Sequence, residues 1–329
     1  DLSSARRRGV PVFNSPFSNT RSVAELTIAE VISLYRRLTE KSQQMHAGLW
    51  DKSAAGAHEV RGRTLGIVGY GHIGAQVSVL AESLGMRVIY HDIVPKLPLG
   101  NARQVKSLGD LLKDADVVTL HVPDVETTVG MIGSAQIRKM KPGACLINNA
   151  RGRVVEMEAL AEALKSGRLG GAALDVFPVE PSARGESFES PVRGLPNVIL
   201  TPHIGGSTEE AQEAIALDVT QKMLKFVNVG STTGAVNVPQ VELPGQGDGD
   251  AAAEGPRRHR ILHFHRNVPG VLSKMHRLIA DLGVNVSAEY LRTDPELGYV
   301  VLDVDPTDGE AVLERVKGIE ETVRVRMLW

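Results

Sequence analysis

From residue 64 to about 205 the chain alternates between short apolar runs and longer stretches of mixed polarity. The apolar runs are TLGIV (64–68), RVIYHD (87–92), DVVTLHV (116–122), ACLINNA (144–150), GAALDV (171–176) and NVILTPH (197–203). They read as strands, the later ones β-branched, and most segments between them have room for helices of 8–12 residues. Strands that are apolar on both faces and separated by helices imply a parallel sheet covered on each side. Before this region, residues 19–47 keep approximate helical spacing through Val23, Leu26, Val31, Leu34 and Leu38, and Ser22 with Glu25 forms a capping-box pattern, so one long helix is expected. After it, Ala211, Ile215, Val219 and Met223 mark a helix from Thr208 to Val227.

The pattern changes at PGQGDGDAAAEGP (244–256), which has no apolar face and reads as a flexible linker. Beyond it come strand 260–265, helix 270–282, strands 284–291 and 298–305, helix 308–317 and strand 322–328. That order, β-α-β-β-α-β, predicts a compact ferredoxin-like unit. The start of the chain reads as a helix ending at Gly9 and a short strand, VPVFN (10–14). With Asp1 in place of Met, it is expected to be a fragment that lacks its natural N-terminal part.

At 329 residues, two or three domains are expected. A net charge of −2 gives no reason to invoke nucleic acid or an anionic membrane. The one cysteine, Cys145, excludes a disulfide framework and points to a reducing, cytoplasmic setting. No apolar run approaches the ~18 residues of a membrane span.

The chemistry gathers behind the strands. Gly69, Gly71 and Gly74 form G-x-G-x-x-G between the first strand and a helix. The first glycine permits the tight turn, the second the approach of a pyrophosphate, and the third close helix–strand packing. Asp92 ends the next strand 18 residues after Gly74, near the spacing of a ribose-binding acid. A carboxylate ~4 Å from an additional 2′-phosphate would repel it by about 4 kcal/mol at an effective dielectric near 20. His91 is a poor substitute for a phosphate-binding arginine, so NAD is expected over NADP.

Further along, Arg151, Glu180 and His203 each follow a strand end and should face one crevice at the carboxyl edge of the sheet. An imidazole suits proton transfer to and from a 2-hydroxy acid, a carboxylate orients and supports it, and an arginine fork grips the substrate carboxylate. His263 and His265 share one face of a strand, but without a third ligand no metal site is expected.

The stretches FNSPFSNTRSVAEL (13–26), GIVGYGHIG (66–74), LHVP (120–123), MKPGACLINNARG (140–152), LDVFPVEP (174–181), LTPHIGGST (200–208) and HFHRNVPGVL (263–272) carry a resemblance to a known family. The chain resembles the D-isomer-specific 2-hydroxyacid dehydrogenases, most closely those with a C-terminal ACT domain, over nearly its whole length. The resemblance implies a Rossmann-type doubly wound sheet (19–205), a partial substrate-binding domain with linker (1–18 and 206–257), and an ACT domain (258–329). It implies His203 as acid/base, Glu180 as its partner and Arg151 as the substrate-binding cation. It places Gly69, Gly71, His72, Ile73, Gly74, Asp92, His121, Val122, Pro123, Asn149, Ala150, Arg151, Asp175, His203, Gly205 and Gly206 around NAD.

The activity so implied is NAD-dependent oxidation of 3-phosphoglycerate to 3-phosphohydroxypyruvate, the entry to serine synthesis. Feedback by L-serine would act at His265, Asn267 and Asn285, beside the Pro269–Gly270 turn, where two ACT domains pair. A homo-oligomer follows, dimeric through the NAD domain, where Trp50 lies in a segment that packs on the neighbouring subunit, and tetrameric through the ACT domain. The substrate domain departs from the family by lacking basic and glycine-rich loops, with Lys52 a remaining candidate for the phosphate. Two other readings fit the same residues: a dehydrogenase for a different 2-hydroxy acid, and a non-catalytic, NAD-responsive scaffold or corepressor.

Overall fold

The computed structural model describes residues 1–183, 185–244, 258–306 and 309–328. The chain divides into two compact units, Phe17–Ala214 and Asp1–Pro16 together with the chain from Ile215 onward. Apart from Pro244, the linker expected over 244–256 lies outside the described residues.

The unit Phe17–Ala214 is built on a seven-stranded sheet, β1 (Thr64–Val68), β2 (Arg87–His91), β3 (Arg103–Gln104), β4 (Val117–Leu120), β5 (Cys145–Asn148), β6 (Gly171–Leu174) and β7 (Val198–Leu200). Their order is β3-β2-β1-β4-β5-β6-β7, every pair parallel. Strands β1, β4, β5 and β6 are buried at every position, as helices on both faces require. Chain order turns back between β1 and β4, since β1 leads to β2 on one side while β4 lies on the other. Loops leaving the carboxyl ends there open a crevice, the usual ligand position of such sheets.

Two expectations near the N-terminus are corrected. The single helix over 19–47 is two, Thr20–Arg36 and Leu38–His46, broken at Arg37 with φ 51°. The Tyr35 carbonyl is taken by the His58 N–H (2.7 Å), and the second helix buries no residue, so nothing draws it along the first axis. The strand expected at 10–14 reduces to one isolated bridge, Phe13 to Ala235. Pro11 has no N–H to give a ladder. The Asn237 amide takes a neighbouring strand's place, accepting from Val12 N (2.8 Å) and donating to Val10 O (3.0 Å). The edge strand β3, only two exposed residues, carries no periodic signal in the sequence.

In the other unit, β8 (His259–Arg266), β9 (Val286–Thr293), β10 (Leu297–Val304) and β11 (Thr322–Leu328) form an antiparallel sheet in the order β11-β8-β10-β9. Helices Val271–Asp281 and Gly309–Lys317 complete the expected β-α-β-β-α-β order. Their apolar faces meet one side of the sheet through Met275, Ile279, Val312 and Val316. The other side packs with Phe13, Phe226, Ala235, Val238 and Val241. Buried Arg260 forks onto Asp303 (2.6 and 2.7 Å) and donates to the carbonyls of Val229, Leu243 and Pro244, which satisfies a charge shut off from solvent. Among the described residues, no helix is long and apolar enough to cross a membrane.

Candidate active site

The turn after β1 is built by close approach. Gly69 sits at φ 91°, donates to His91 O (2.9 Å), and a Cβ there would come within 2.6 Å of the His121 carbonyl oxygen, so only glycine fits between β1 and β4. A Cβ on Gly74 would lie 2.3 Å from Gly69 O, while one on Gly71 would meet no atom within 4 Å. The space is therefore kept clear on the ligand side only. Helix His72–Ser83 starts at Gly71 without a side-chain cap, so the amides of His72, Ile73 and Gly74 remain for an anionic pyrophosphate.

Asp92 stands at the end of β2, accepting from Tyr70 N (2.8 Å) and Val94 N (2.9 Å). A carboxylate has about four acceptor positions, so two stay open for a ribose diol. Across the reversal point, His121 to Pro123 leave β4, with His121 Nε2 bonded to Thr119 Oγ1 (3.0 Å). Burial pushes the His121 pKa down to about 4, which makes it a neutral wall of the crevice. These residues fit NAD.

The loops after β5, β6 and β7 bring the second group together. Asn148 accepts from Ala150 N (3.1 Å) and donates to Arg151 O (3.0 Å), which sets the turn that presents Arg151. A Cβ on Gly152 would fall 1.9 Å from the Phe177 carbonyl carbon, so the loops after β5 and β6 touch backbone to backbone. Glu180 Oε1 accepts from Phe177 N (3.0 Å), and its Oε2 lies 2.9 Å from His203 Nδ1. Burial alone would raise the Glu180 pKa. The bonds from His203 and Phe177 and the charges of His203 and Arg151 outweigh it, so the carboxyl sits below its usual range. An ionised carboxylate only accepts, so Nδ1 carries the hydrogen and Nε2 is the free ring nitrogen.

His203 itself has φ 55°, a conformation rare for a side chain with a Cβ. Buried Asp175 holds it there, accepting from Thr201 Oγ1 (2.6 Å), Ile204 N (2.8 Å) and Gly205 N (2.7 Å). Sequence reasoning placed Asp175, Gly205 and Gly206 beside NAD. In the fold Asp175 also braces the His203 turn, and Gly206 packs on Asn19. His203 and Glu180 edge a cavity of ≈ 550 Å³ with Phe177, Phe188, Leu200 and Pro202 among its walls.

One group behind this site was missed. Asn149, expected at the cofactor, turns its amide onto Glu30 (2.7 Å) and Thr27 (3.1 Å) of the helix Thr20–Arg36. The signal was present, because Glu30 falls on the same helical face as Val23, Thr27, Val31 and Leu34.

The residues expected to bind serine are spread out within one chain. His265 pairs with Gly298, and Asn285 lies opposite Asp305, so Asn285 is seven residues along the sheet from His265, about 23 Å at 3.3 Å per residue. His265 is buried, with Nδ1 on Arg266 O (2.9 Å) and Nε2 unpartnered, whereas Asn267 is exposed and donates to Asp294 O (2.7 Å). Trp50 is 77% exposed. Among the described residues no three His, Cys, Asp or Glu side chains gather as a metal site would need.

A glycine loop where the sheet order reverses, a free helix N-terminus and an acid at the end of β2 define an NAD-dependent dehydrogenase. Residues 28–205 match the family model for the D-isomer specific 2-hydroxyacid dehydrogenase NAD binding domain, and residues 261–324 match an AHAS small subunit-like ACT domain. The chain belongs to the D-isomer specific 2-hydroxyacid dehydrogenase family. It is 53% identical over 329 residues to D-3-phosphoglycerate dehydrogenase of Haemophilus influenzae, and 51% identical over 331 residues to that of Escherichia coli K12. Both alignments cover all of this chain and 78% of the relative. Among solved structures, D-lactate dehydrogenase from Aquifex aeolicus, complexed with NAD and lactic acid, superimposes with a TM-score of 0.61 at 32% identity, covering 69% of this chain and 72% of that one.

Proposed function

We propose that this protein oxidises 3-phosphoglycerate to 3-phosphohydroxypyruvate with NAD, the entry into serine synthesis. The His203–Glu180 pair, 2.9 Å apart at the mouth of the crevice, carries the chemistry. The substrate is argued from relatives named D-3-phosphoglycerate dehydrogenase at about half identity across the whole chain. NAD held at the Gly69–Gly74 loop supplies the hydride acceptor. His203 Nε2 takes the hydroxyl proton during oxidation and returns it to the developing alkoxide during reduction. Glu180 fixes the ring and supports the imidazolium, and Arg151 grips the substrate carboxylate with its planar fork. A reducing cytoplasm suits the single buried thiol of Cys145.

NADH consumption measured with 3-phosphohydroxypyruvate, pyruvate and 2-ketoglutarate should be fastest with the first. Asp92→Ala should weaken NAD and relax discrimination against NADP. With the full-length protein, faster turnover of pyruvate would assign a different 2-hydroxy acid, and no turnover of any would favour a binding role. Equal wild-type affinity for NAD and NADP would remove Asp92 from the ribose.

The C-terminal unit is read as an L-serine sensor shared between two copies. Its sheet ends in β9 on one side and β11 on the other, and edges of this kind pair readily. Pairing two copies is what would bring His265 and Asn267 of one chain near Asn285 of another. Serine there lowers turnover by favouring one arrangement of subunits, with ~1–3 kcal/mol of coupling typical. Asn285 is exposed, and among the described residues only its backbone carbonyl is engaged, by Asp305 N (3.0 Å), so Asn285→Ala should abolish serine inhibition without touching uninhibited turnover. If millimolar serine neither binds in calorimetry nor inhibits, this assignment fails.

A further inference from the structure

Behind the Arg151 loop lies a buried carboxyl group with no charge to balance it. Glu30 is 3% exposed, and among the described residues no cation pairs with it. Its Oε2 accepts from Asn149 Nδ2 (2.7 Å), and the same amide donates to Thr27 Oγ1 (3.1 Å), whose hydroxyl is committed to Val23 O (2.8 Å). Two acceptors in this cluster, Glu30 Oε1 and Asn149 Oδ1, are buried without a partner among the described residues. With Glu30 ionised, both of these acceptors stay without a donor. A neutral acid brings the donor that is missing.

The neighbours point the same way. The end of β6 presents Asp175, a like charge, β5 presents Ile147 and the thiol of Cys145, which burial pushes up to about 12 and so keeps neutral, the turn after β5 presents the Asn149 amide, and β7 the apolar Val198, Ile199 and Leu200. On the other flank, helix His72–Ser83 buries Gly74, Val77, Ser78 and Ala81, none of them titratable. Helix Leu38–His46 meets the far end, where its Glu40 and Lys41 pair with Arg37 and Asp51. Burial, partly opposed by the Asn149 bond, together with the Asp175 charge raises Glu30 from 4.5 to about 8.

We propose that Glu30 is a positioning residue for the substrate-carboxylate site: held as a neutral acid against Asn149, it fixes the Asn149–Arg151 segment, and its ionisation loosens that segment. Arg151 is two residues from Asn149 along a turn that the Asn148 side chain closes on both sides, so a displacement of Asn149 passes to the guanidinium. This rests on Arg151 as the carboxylate-binding cation, although the protonation of Glu30 can be tested without it.

Glu30→Gln keeps the shape and supplies a donor without a charge; Glu30→Leu removes the bond to Asn149. In the whole protein, the infrared difference between wild type and Glu30→Gln at neutral pH should contain a protonated-carboxyl C=O band. Its absence overturns the proposal whatever Arg151 does. In substrate oxidation, wild-type kcat/KM should fall as pH rises through about 8, and Glu30→Gln should lose that limb while matching wild type at neutral pH. Glu30→Leu should raise KM for the hydroxy acid by about tenfold, the scale of one buried hydrogen bond, with NAD affinity in calorimetry unchanged.

Stability gives a further readout. The folded state holds the Glu30 proton more tightly than the unfolded chain, so its contribution is full below 4.5 and is lost as pH rises through about 8. The Tm advantage of Glu30→Gln over wild type should therefore grow across that window. A Glu30→Gln enzyme as impaired as Glu30→Leu, or one with an unchanged alkaline limb, would overturn the positioning role. If Glu30→Leu does not fold, the infrared band and the Glu30→Gln profile still decide.

Discussion

His203→Ala should lose ~10²–10⁴ in turnover, the usual worth of a general acid/base, while binding NAD almost normally. The two effects separate because the groups are separate. The cofactor loop is made by Gly69, Gly71, Gly74 and Asp92 after β1 and β2, whereas His203 leaves β7. Nor does the imidazole hold its own loop. Asp175 bonds to the Thr201 hydroxyl and the Ile204 and Gly205 amides, all of which survive the substitution. One complication is the backbone. At φ 55° an alanine costs about 1–2 kcal/mol, whereas asparagine tolerates this conformation. His203→Asn is therefore the sharper variant, since it keeps the turn and removes the proton carrier. Equal losses in the two variants, with calorimetric NAD affinity close to wild type, identify chemistry as what was lost. Near-normal turnover in His203→Asn would show that the alanine variant reports strain and that His203 is not the acid/base.

Arg151→Lys should lower kcat/KM for the hydroxy acid by roughly 10- to 100-fold, since a charged hydrogen bond is worth about 1.5–3 kcal/mol. A lysine keeps the positive charge but reduces a planar two-pronged donor to a point. The fold has little to lose, because among the described residues the Arg151 side chain makes one hydrogen bond, to the Ala150 carbonyl (2.6 Å). The loss should fall on substrate rather than cofactor, as a raised KM with NAD affinity unaltered. An Arg151→Lys enzyme with wild-type KM would move the carboxylate site elsewhere. Comparison with Glu30→Leu is informative, because that variant leaves the guanidinium in place and disturbs only its support.

Much of this protein was legible as text. Apolar runs buried on both faces declared β1, β4, β5 and β6, because a parallel strand under two helix layers has no polar side to show. G-x-G-x-x-G and the acid 18 residues on were readable because backbone approach to a phosphate tolerates only glycine at set offsets. The β-α-β-β-α-β order of the C-terminal unit followed from period alone, and each of its strands lies within three residues of its expected bounds.

Other features were decided only by tertiary contact. The helix break at Arg37 depends on a carbonyl claimed by His58, and the lost strand at 10–14 on an amide more than two hundred residues away. His203 and Glu180 were each visible as a residue after a strand, but a 23-residue separation says nothing of a 2.9 Å contact. Asp175 could be read as a cofactor residue, yet its three bonds to the His203 turn exist only once β6 and β7 lie side by side. Glu30 shows the division most clearly. Its helical spacing from Val23, Thr27 and Val31 could have put it on the inner face, but nothing in the sequence said that Asn149, 119 residues on, would meet it there. Local sequence sets backbone preference and which face is apolar, and so determined the elements and the glycine turns. Which polar groups share a buried space, and hence which proton stays on which atom, is set by the packing of the whole chain.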